Sequence, residues 1–581
     1  MTDETDESGT AGESKVERIK RESRQLRGTL AETLASDATH FGESDVQLLK
    51  FHGSYQQDDR DARRAREAAG EGRHWQFMIR TAIPAGVLTA EQYLAFDDIA
   101  ERWADGTLRV TTRQGFQFHG VLKRDLKATI ATINNRLATT LAACGDVERN
   151  VMACPAPLPG PARESVRRAA RAIAEALRPA SRAYHEIWLD GERQVTTEVD
   201  EPFYGTQYLP RKFKSAVSLA DDNCVDIWSQ DVGLVAVTDG GALRGFNLLA
   251  GGGLGMTHNK ADTTARLAES LGFVRPDDAV AAVRAVAAVF RDHGNRADRR
   301  HARLKYLVAE WGVERFRDEV ARRIDFALAP AVELPVPAFH DHLGLHRQPD
   351  GRWFLGVFIQ SGRIADTESA RLRTGLRAVV ERIRPGVRLT AQQNILFTDL
   401  SAGDAAAVEQ ILGGHGVKCA SALPPVRRHS MACPALPTCG LAVAESERLL
   451  PAVLDRLEAA LEELGLRDAG LTVRMTGCPN GCARPYTADL AFVGRAIGRY
   501  HVYVGGRLAG DRVVDLYRAD VREPDLVAAV RPLLERWSAE REGVESLGDF
   551  YQRIVGPRAP RRVITGRETP TAELVQLEVR S

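Results

Sequence analysis

The chain has 581 residues with 78 basic and 78 acidic side chains, so its formal net charge is zero. That balance excludes a nucleic-acid binder with a global basic footprint, and the length exceeds the roughly 250–300 residues at which a single core stops growing, so several domains are expected. Hydrophobic residues make up 44%, ordinary for soluble protein, and eight cysteines in so long a chain are no disulfide scaffold. No apolar run reaches the ~18–20 residues of a membrane span; the most apolar stretch, Val280 to Phe290, is interrupted by Arg284. The opening Met-Thr-Asp-Glu-Thr-Asp-Glu-Ser is acidic where a secretory leader is basic. The expected compartment is the cytoplasm, where thiols stay reduced and free to act as ligands.

Residues 1–45 are polar and read as a mobile tail, with a helix from Ser14, where Ser14-Lys-Val-Glu17 fits a capping box. Order is expected from Val46 onward. Trp75 to Arg80 reads as a strand ended by Pro84-Ala-Gly86, and a helix follows from Thr89 to Trp103. Leu108 to Gly120 reads as one strand. Its period of two puts Arg113, Gln117 and His119 on one face, with Phe116 and Phe118 on the other. That suits a strand between a core and a charged ligand, although one solvated face would give the same pattern.

Lys212 and Lys214 precede Ser-Ala-Val-Ser-Leu and share a face if the strand includes them. Two ammonium groups about 4 Å apart repel by ~4 kcal/mol at an effective dielectric near 20, so they need water or an anion. A strand edge guarded by lysines is the simpler reading of these residues alone. Gly251-Gly-Gly-Leu-Gly255 fails G-x-G-x-x-G because Met256 holds the last position; it reads as a place of close backbone approach. Asp292 to Tyr306 is a dense basic run, usually a solvated helix face. A proline-containing connector spans 316–350, Glu445 to Leu464 reads as a helix and Leu471 to Thr476 as a strand. Beyond about 556 the chain reads as a polar tail.

The sequence repeats itself. Arg149-Asn-Val-Met-Ala-Cys154-Pro matches Arg428-His-Ser-Met-Ala-Cys433-Pro at an offset of 279 residues, and Leu108-Arg-Val-Thr-Thr-Arg-Gln matches Val387-Arg-Leu-Thr-Ala-Gln-Gln at the same offset. Gly245-Phe-Asn-Leu-Leu-Ala-Gly-Gly and Arg499-Tyr-His-Val-Tyr-Val-Gly-Gly pair at a shorter one. Two long copies imply duplication and pseudo-two-fold symmetry. Four cysteines stand out in the second copy: Cys433 and Cys439, then, after 38 residues, Cys478 and Cys482 in a Gly- and Pro-rich loop. Four thiolates from two loops hold an iron–sulfur cluster or a zinc ion, or are unrelated buried thiols. The first pair is too wide for a zinc knuckle, which favours the cluster. Gly160 stands where the second copy has Cys439, so the first copy lacks a full ligand set. Cys154 is then a vestige, and Cys144, Cys224 and Cys419 read as small buried hydrophobes.

Met475-Thr-Gly-Cys-Pro-Asn-Gly-Cys-Ala-Arg484 and Met431-Ala-Cys-Pro-Ala-Leu-Pro-Thr-Cys439 resemble the two cluster motifs of the sirohaem-containing sulfite/nitrite reductase family. The resemblance runs from about residue 47 to about 555. It implies an α+β fold of mixed sheets, duplicated about a pseudo-two-fold axis, with two ferredoxin-like half-domains and two sirohaem-domain halves. The implied divisions are 46–137 and 336–417 for the ferredoxin-like halves, 138–335 for the first sirohaem copy with the substrate lysines, 418–555 for the second copy with the cluster, and tails at 1–45 and 556–581. It implies a [4Fe–4S] cluster on Cys433, Cys439, Cys478 and Cys482, with Cys482 shared with the sirohaem iron. Arg113, Gln117, His119 and members of the 292–305 run are implied to face the cofactor's carboxylates, and the glycine loop to pack against the macrocycle. Arg80, Arg149, Lys212 and Lys214 match the residues that clamp the oxyanion and deliver protons. Some relatives carry a Tyr–Cys crosslink; Tyr55 matches the tyrosine, but Val147 aligns with the cysteine, so no link is predicted.

The implied reaction is assimilatory six-electron reduction of sulfite to sulfide. Nitrite reductases of the family look like Pro-Arg-Lys-Trp-Asn where this chain has Pro-Arg-Lys-Phe-Lys214, and tend to lack the Phe-Gln-Phe-His of 116–119. Both differences favour sulfite over a ferredoxin-dependent nitrite reductase, with slow nitrite reduction expected alongside. A non-catalytic protein with a structural zinc or cluster is the alternative of another class. Electrons are expected from a ferredoxin or a separate flavoprotein subunit, with neither nucleic acid nor membrane as a partner.

Overall fold

The computed structural model describes residues 12–190, 200–335, 338–556 and 561–572. The fold is α+β, built on four five-stranded sheets. The first has the order Ser54–Asp58, Trp75–Arg80, Phe116–Val121, Leu108–Val110 and Arg363–Ile364; the second runs Gly344–Arg347, Trp353–Val357, Ile395–Leu400, Gly386–Leu389 and Val87–Leu88. Each of these ferredoxin-like sheets thus ends on a strand supplied by the other half. Each exchanged strand follows a glycine at positive φ, Gly86 at +70° and Gly362 at +76°. A Cβ there would lie 2.4 Å from the Leu389 carbonyl and 2.2 Å from that of Val110 respectively, so only glycine allows the exchange. The helices Ala90–Trp103 and Leu372–Ile383 meet across the same boundary, where buried Asp97 takes Arg373 and Arg377, both at 2.7 Å.

The other two sheets repeat one plan. Met152–Ala153 pairs in parallel with Ser215–Leu219, as Ser430–Ala432 does with Val473–Thr476, and both continue through a further parallel pairing into antiparallel strands. Helices Pro161–Ala176 and Ala279–His293 cover the first, Leu450–Glu463 and Leu526–Glu540 the second. Ahead of each central strand, Val232–Asp239 or Leu490–Ala496, the chain turns through a residue in the left-handed region, Asp226 (φ 50°) or Arg484 (φ 54°), into a short 3-10 helix. These two counterparts form an ion pair, and Arg474 joins Asp226 at 3.2 Å.

Several elements lie where the sequence places them: the strand Trp75–Arg80, and the helix Ala90–Trp103 behind a Thr89–Gln92 capping box. Leu108 to Gly120 is not one strand. Gln114 sits at φ 55° in a turn between Leu108–Val110 and Phe116–Val121, so Arg113 leaves the face that Gln117 and His119 share.

The expected tails also differ. Residues 1–11 lie outside the described residues, but Lys15–Glu22, Leu30–Ala35 and Glu43–Leu49 are helices with Leu26, Leu30 and Phe41 buried. Ser14 starts the first helix without a side-chain capping bond. Glu17 is instead buried with Lys20 at 2.5 Å, and Lys20 also donates to the Leu209 carbonyl at 2.7 Å and lies 3.6 Å from Asp146. Reciprocal burial of charge makes a polar segment part of the core. At the other end Val563–Thr565 pairs with Thr264–Arg266, burying Ile564. Among the described residues no helix is long and apolar enough to cross a membrane. Replacing Lys20 by methionine strands Asp146 and Glu17 beside fewer cations; it is expected to lower stability by about 3 kcal/mol, read as a lower thermal unfolding midpoint.

Candidate active site

The four cysteines of the second copy come from two loops that leave adjacent parallel strands, Ser430–Ala432 and Val473–Thr476. The Gly477 N–H donates to Cys433 Sγ at 3.4 Å, and Arg60 anchors the first loop by donating to the carbonyls of Cys439 at 3.1 Å and Ala442 at 2.6 Å. Burial pushes the Cys433 thiol up, with further upward pressure from Cys482, Cys478 and Cys439; Cys478 is pushed up to about 12, first by burial and then by Cys482. Thiols held so close that their thiolate forms repel need a positive centre among them. Their sulfurs are not gathered within the 4.8 Å that a group around a single ion satisfies elsewhere in the chain. The donor set is too wide for one zinc and fits a larger cluster.

Cys482 is exposed, and with Lys212, Lys214, Arg113 and Arg303 it lines one cavity. The lysines lie just ahead of Ser215–Leu219 rather than in it, so they escape the ladder and point to the cavity wall. Among the described residues neither ammonium meets a carboxylate within 4 Å. Burial lowers Lys212 to about 7, helped by Arg303 and Arg211; burial and then Lys212 push Lys214 well below its ordinary value. Half-buried cations without counter-ions mark a place suited to an anion. The reading of these lysines as an exposed guarded edge does not hold.

The remaining predicted residues surround this cavity unequally. Arg113 donates to Gln230 at 2.8 Å and to two backbone carbonyls, and burial lowers it to about 9. Arg149 is buried, donates to the Gly145 carbonyl at 2.8 Å, and its charge helps depress Lys212. Arg80 feels the charge of Cys482, donates to Cys144 Sγ at 3.3 Å and is held by the Gln117 amide oxygen. His119 stands off the cavity wall. Burial, then Arg363, Arg109 and Arg80, push it well below its ordinary value, and neither of its ring nitrogens has a partner. Two orphaned nitrogens among three arginines fit the edge of a group carrying carboxylates.

Other expectations need correction. Cys144 takes a hydrogen bond from Arg80 at 3.3 Å and lies beside Tyr55, so it is a polar partner rather than a filler. Most of the 292–305 run is structural: Arg296 pairs with Glu17, and Arg299 with Asp146 at 3.0 Å. Only Arg303, held by Asp231 at 2.7 Å, lines the cavity. Arg484, Asn480, Gln230 and Thr112 also line it and had not been singled out; Asn480 and Arg484 lie inside the second cysteine motif, which was their one signal. The glycine loop packs against protein. A Cβ on Gly252 would lie 2.3 Å from the Gln230 carbonyl and 2.4 Å from that of Trp228, and one on Gly255 3.0 Å from that of Asn480. With Met256 N–H donating to Pro479 at 3.0 Å, this loop presses on the second cysteine loop and positions it.

The family model described as the nitrite/sulfite reductase ferredoxin-like half domain matches residues 71–136 and 346–415. The model of the nitrite and sulphite reductase 4Fe-4S domain matches 169–328, the first copy. A sulfite reductase (ferredoxin) of Synechococcus elongatus is 46% identical, covering 93% of this chain and 89% of that protein. A sulfite reductase (NADPH) hemoprotein beta-component of Myxococcus xanthus is also 46% identical, over 93% and 96%. The solved structure of the Mycobacterium tuberculosis NirA protein shares the fold, with a TM-score of 0.74 at 24% identity over 92% of this chain and 95% of that one.

Substituting Gly252 by alanine forces the glycine loop off two backbone carbonyls. The expected loss is about 1–3 kcal/mol, measured by thermal unfolding, with fewer bound cofactors per chain by absorbance.

Proposed function

Because the chain belongs to the nitrite and sulphite reductase family, we propose that it reduces sulfite to sulfide by six electrons, in the cytoplasm, with sirohaem and a [4Fe–4S] cluster as cofactors. The observation that carries this reading is the pair of unpartnered lysines opening onto the same cavity as the exposed Cys482. Cys433, Cys439, Cys478 and Cys482 would hold the cluster, and Cys482, exposed at the cavity, would also serve the sirohaem. Arg113 and His119 face the macrocycle's carboxylates, and Gln117 orients Arg80. Bound there, the cofactors would supply single-electron chemistry and a metal centre for the anion.

The chain's own residues do the rest. Arg80 and Arg149 carry forked, weakly hydrated charges suited to an oxyanion. Each oxygen of sulfite leaves as water and therefore needs protons. Lys212, lowered to about 7 by burial and by neighbouring arginines, gives up and regains a proton near neutral pH, as an ordinary lysine does not. Lys214 is pushed well below its ordinary value by burial and then by Lys212, so an arriving anion favours its charged form. Arg303 is fixed by Asp231 and keeps the field at this wall positive.

Sulfite is favoured over nitrite by Lys214 itself, and the relatives are named sulfite reductases of both the ferredoxin and the NADPH kind. A ferredoxin or a separate flavoprotein subunit is the proposed donor, distinguished by assaying turnover with each. The decisive measurement is an absorption spectrum with iron and sulfide content; a colourless protein holding zinc on the four cysteines would sink the proposal. Lys214→Ala is expected to slow sulfite reduction about 10²–10⁴-fold with an unchanged spectrum, and full activity would remove its role. Cys482→Ala is expected to abolish turnover.

A further inference from the structure

The first copy is expected to be empty of ligands, yet it holds a tighter donor group than the second. Cys154, Asp222, Cys224 and His342 are all buried, and their ligand atoms lie within 4.8 Å of one another. Cys154 follows Met152–Ala153, as Cys433 follows its parallel counterpart. Cys224 precedes the left-handed Asp226 by two residues, as Cys482 precedes left-handed Arg484. Two cysteines of the cluster motif therefore persist at the pseudo-symmetric place. Where Cys439 and Cys478 have no counterpart, an aspartate of the same loop and a histidine from the connector close the group.

We infer that Cys154, Asp222, Cys224 and His342 bind one divalent metal ion of the zinc type, as a closed structural site. Cys154 Sγ lies 3.1 Å from Asp222 Oδ2 and 3.5 Å from His342 Nε2, and that nitrogen lies 3.2 Å from the same Asp222 oxygen. Zinc, with bonds of about 2.3 Å to sulfur and 2.0–2.1 Å to nitrogen or oxygen, sets ligand separations of about 3.3–3.8 Å at tetrahedral angles. These three edges are within about half an ångström of that tetrahedron, and the Cys224 sulfur lies within 4.8 Å of the other ligand atoms. Two thiolates, one carboxylate and a neutral imidazole carry three negative charges; a divalent ion and Arg163, 3.1 Å from Asp222, cancel them. Asp222 Oδ1 is buried without any hydrogen-bond partner, so a full acceptor is left over. His342 is held at φ 57°, a conformation a histidine adopts when its surroundings require it. The Asp222 loop is pinned by Asn223, whose N–H donates to the Ala338 carbonyl and whose side chain donates to that of Ala509, both at 2.8 Å. Such an ion would tie the first sirohaem half to the connector that leads into the second ferredoxin-like half.

The test is metal analysis of the purified, dialysed holoprotein. The expected result is one zinc per chain beside the iron, with a zinc-edge absorption spectrum showing two sulfur neighbours. Cys224→Ser and His342→Gln should each lower retained zinc at least about ten-fold while iron per chain stays unchanged. Should either variant fail to fold, the zinc-edge spectrum of the unaltered protein decides alone. Holoprotein that contains no zinc and takes up none when it is added in equimolar amount would overturn the inference. So would a Cys154–Cys224 disulfide in protein isolated under reductant, or zinc retained in full by both variants.

Discussion

Positive charge without a protein counter-ion organises this molecule. Lys212 and Lys214, both half-buried, face Arg303, Arg113 and Arg149, and these arginines lower the lysines' affinity for a proton. A fold tolerates such a concentration only where an anion completes it, because unpaired buried charge is costly. The scaffold prevents collapse onto internal acids. Asp231 is already committed to Arg303, and Glu148, held by the Ser215 amide and hydroxyl, is pushed up to about 8 by burial. What remains is a wall of cations beside a single exposed sulfur, that of Cys482.

Duplication explains how one chain builds this asymmetry. The two halves share sheet order, left-handed turns and short 3-10 helices, so their backbones superpose in plan. Function separates them by side chain alone. At one counterpart position stands Asp226, at the other Arg484, and the two neutralise each other. The second copy keeps four cysteines on two loops; the first keeps two, beside Asp222 and His342.

Much of this was legible in the sequence, because local signals carried it. The strand Trp75–Arg80 has its alternation and its terminating proline, and the four cysteines have their spacing. What could not be read depends on distant partners. The N-terminal helix looks polar until Glu17 and Lys20 are seen to neutralise each other inside the core. Arg113 looks like a strand residue until Gln114 is seen to turn the chain at positive φ, a conformation that nothing in Thr-Arg-Gln-Gly announces. Cys154 looks vestigial because Asp222 and His342 lie 68 and 188 positions away, beyond any spacing rule. Tyr55 lies beside Cys144 although 89 positions separate them, a proximity that no local signal announces.

The traded edge strands bear on how the polypeptide reaches its native state. Leu108–Val110 emerges from the ribosome early, but Arg363–Ile364, which closes its open side, is made some 250 residues later. Until then the first sheet presents bare amide and carbonyl groups along one margin, the geometry that invites another chain to join. Neither half can finish alone, so assembly is governed by long-range pairing and is intrinsically slow. A nascent copy of this protein therefore spends much of its synthesis as a client for chaperones, and fragments cut between the halves would inherit two sticky borders rather than two independent modules.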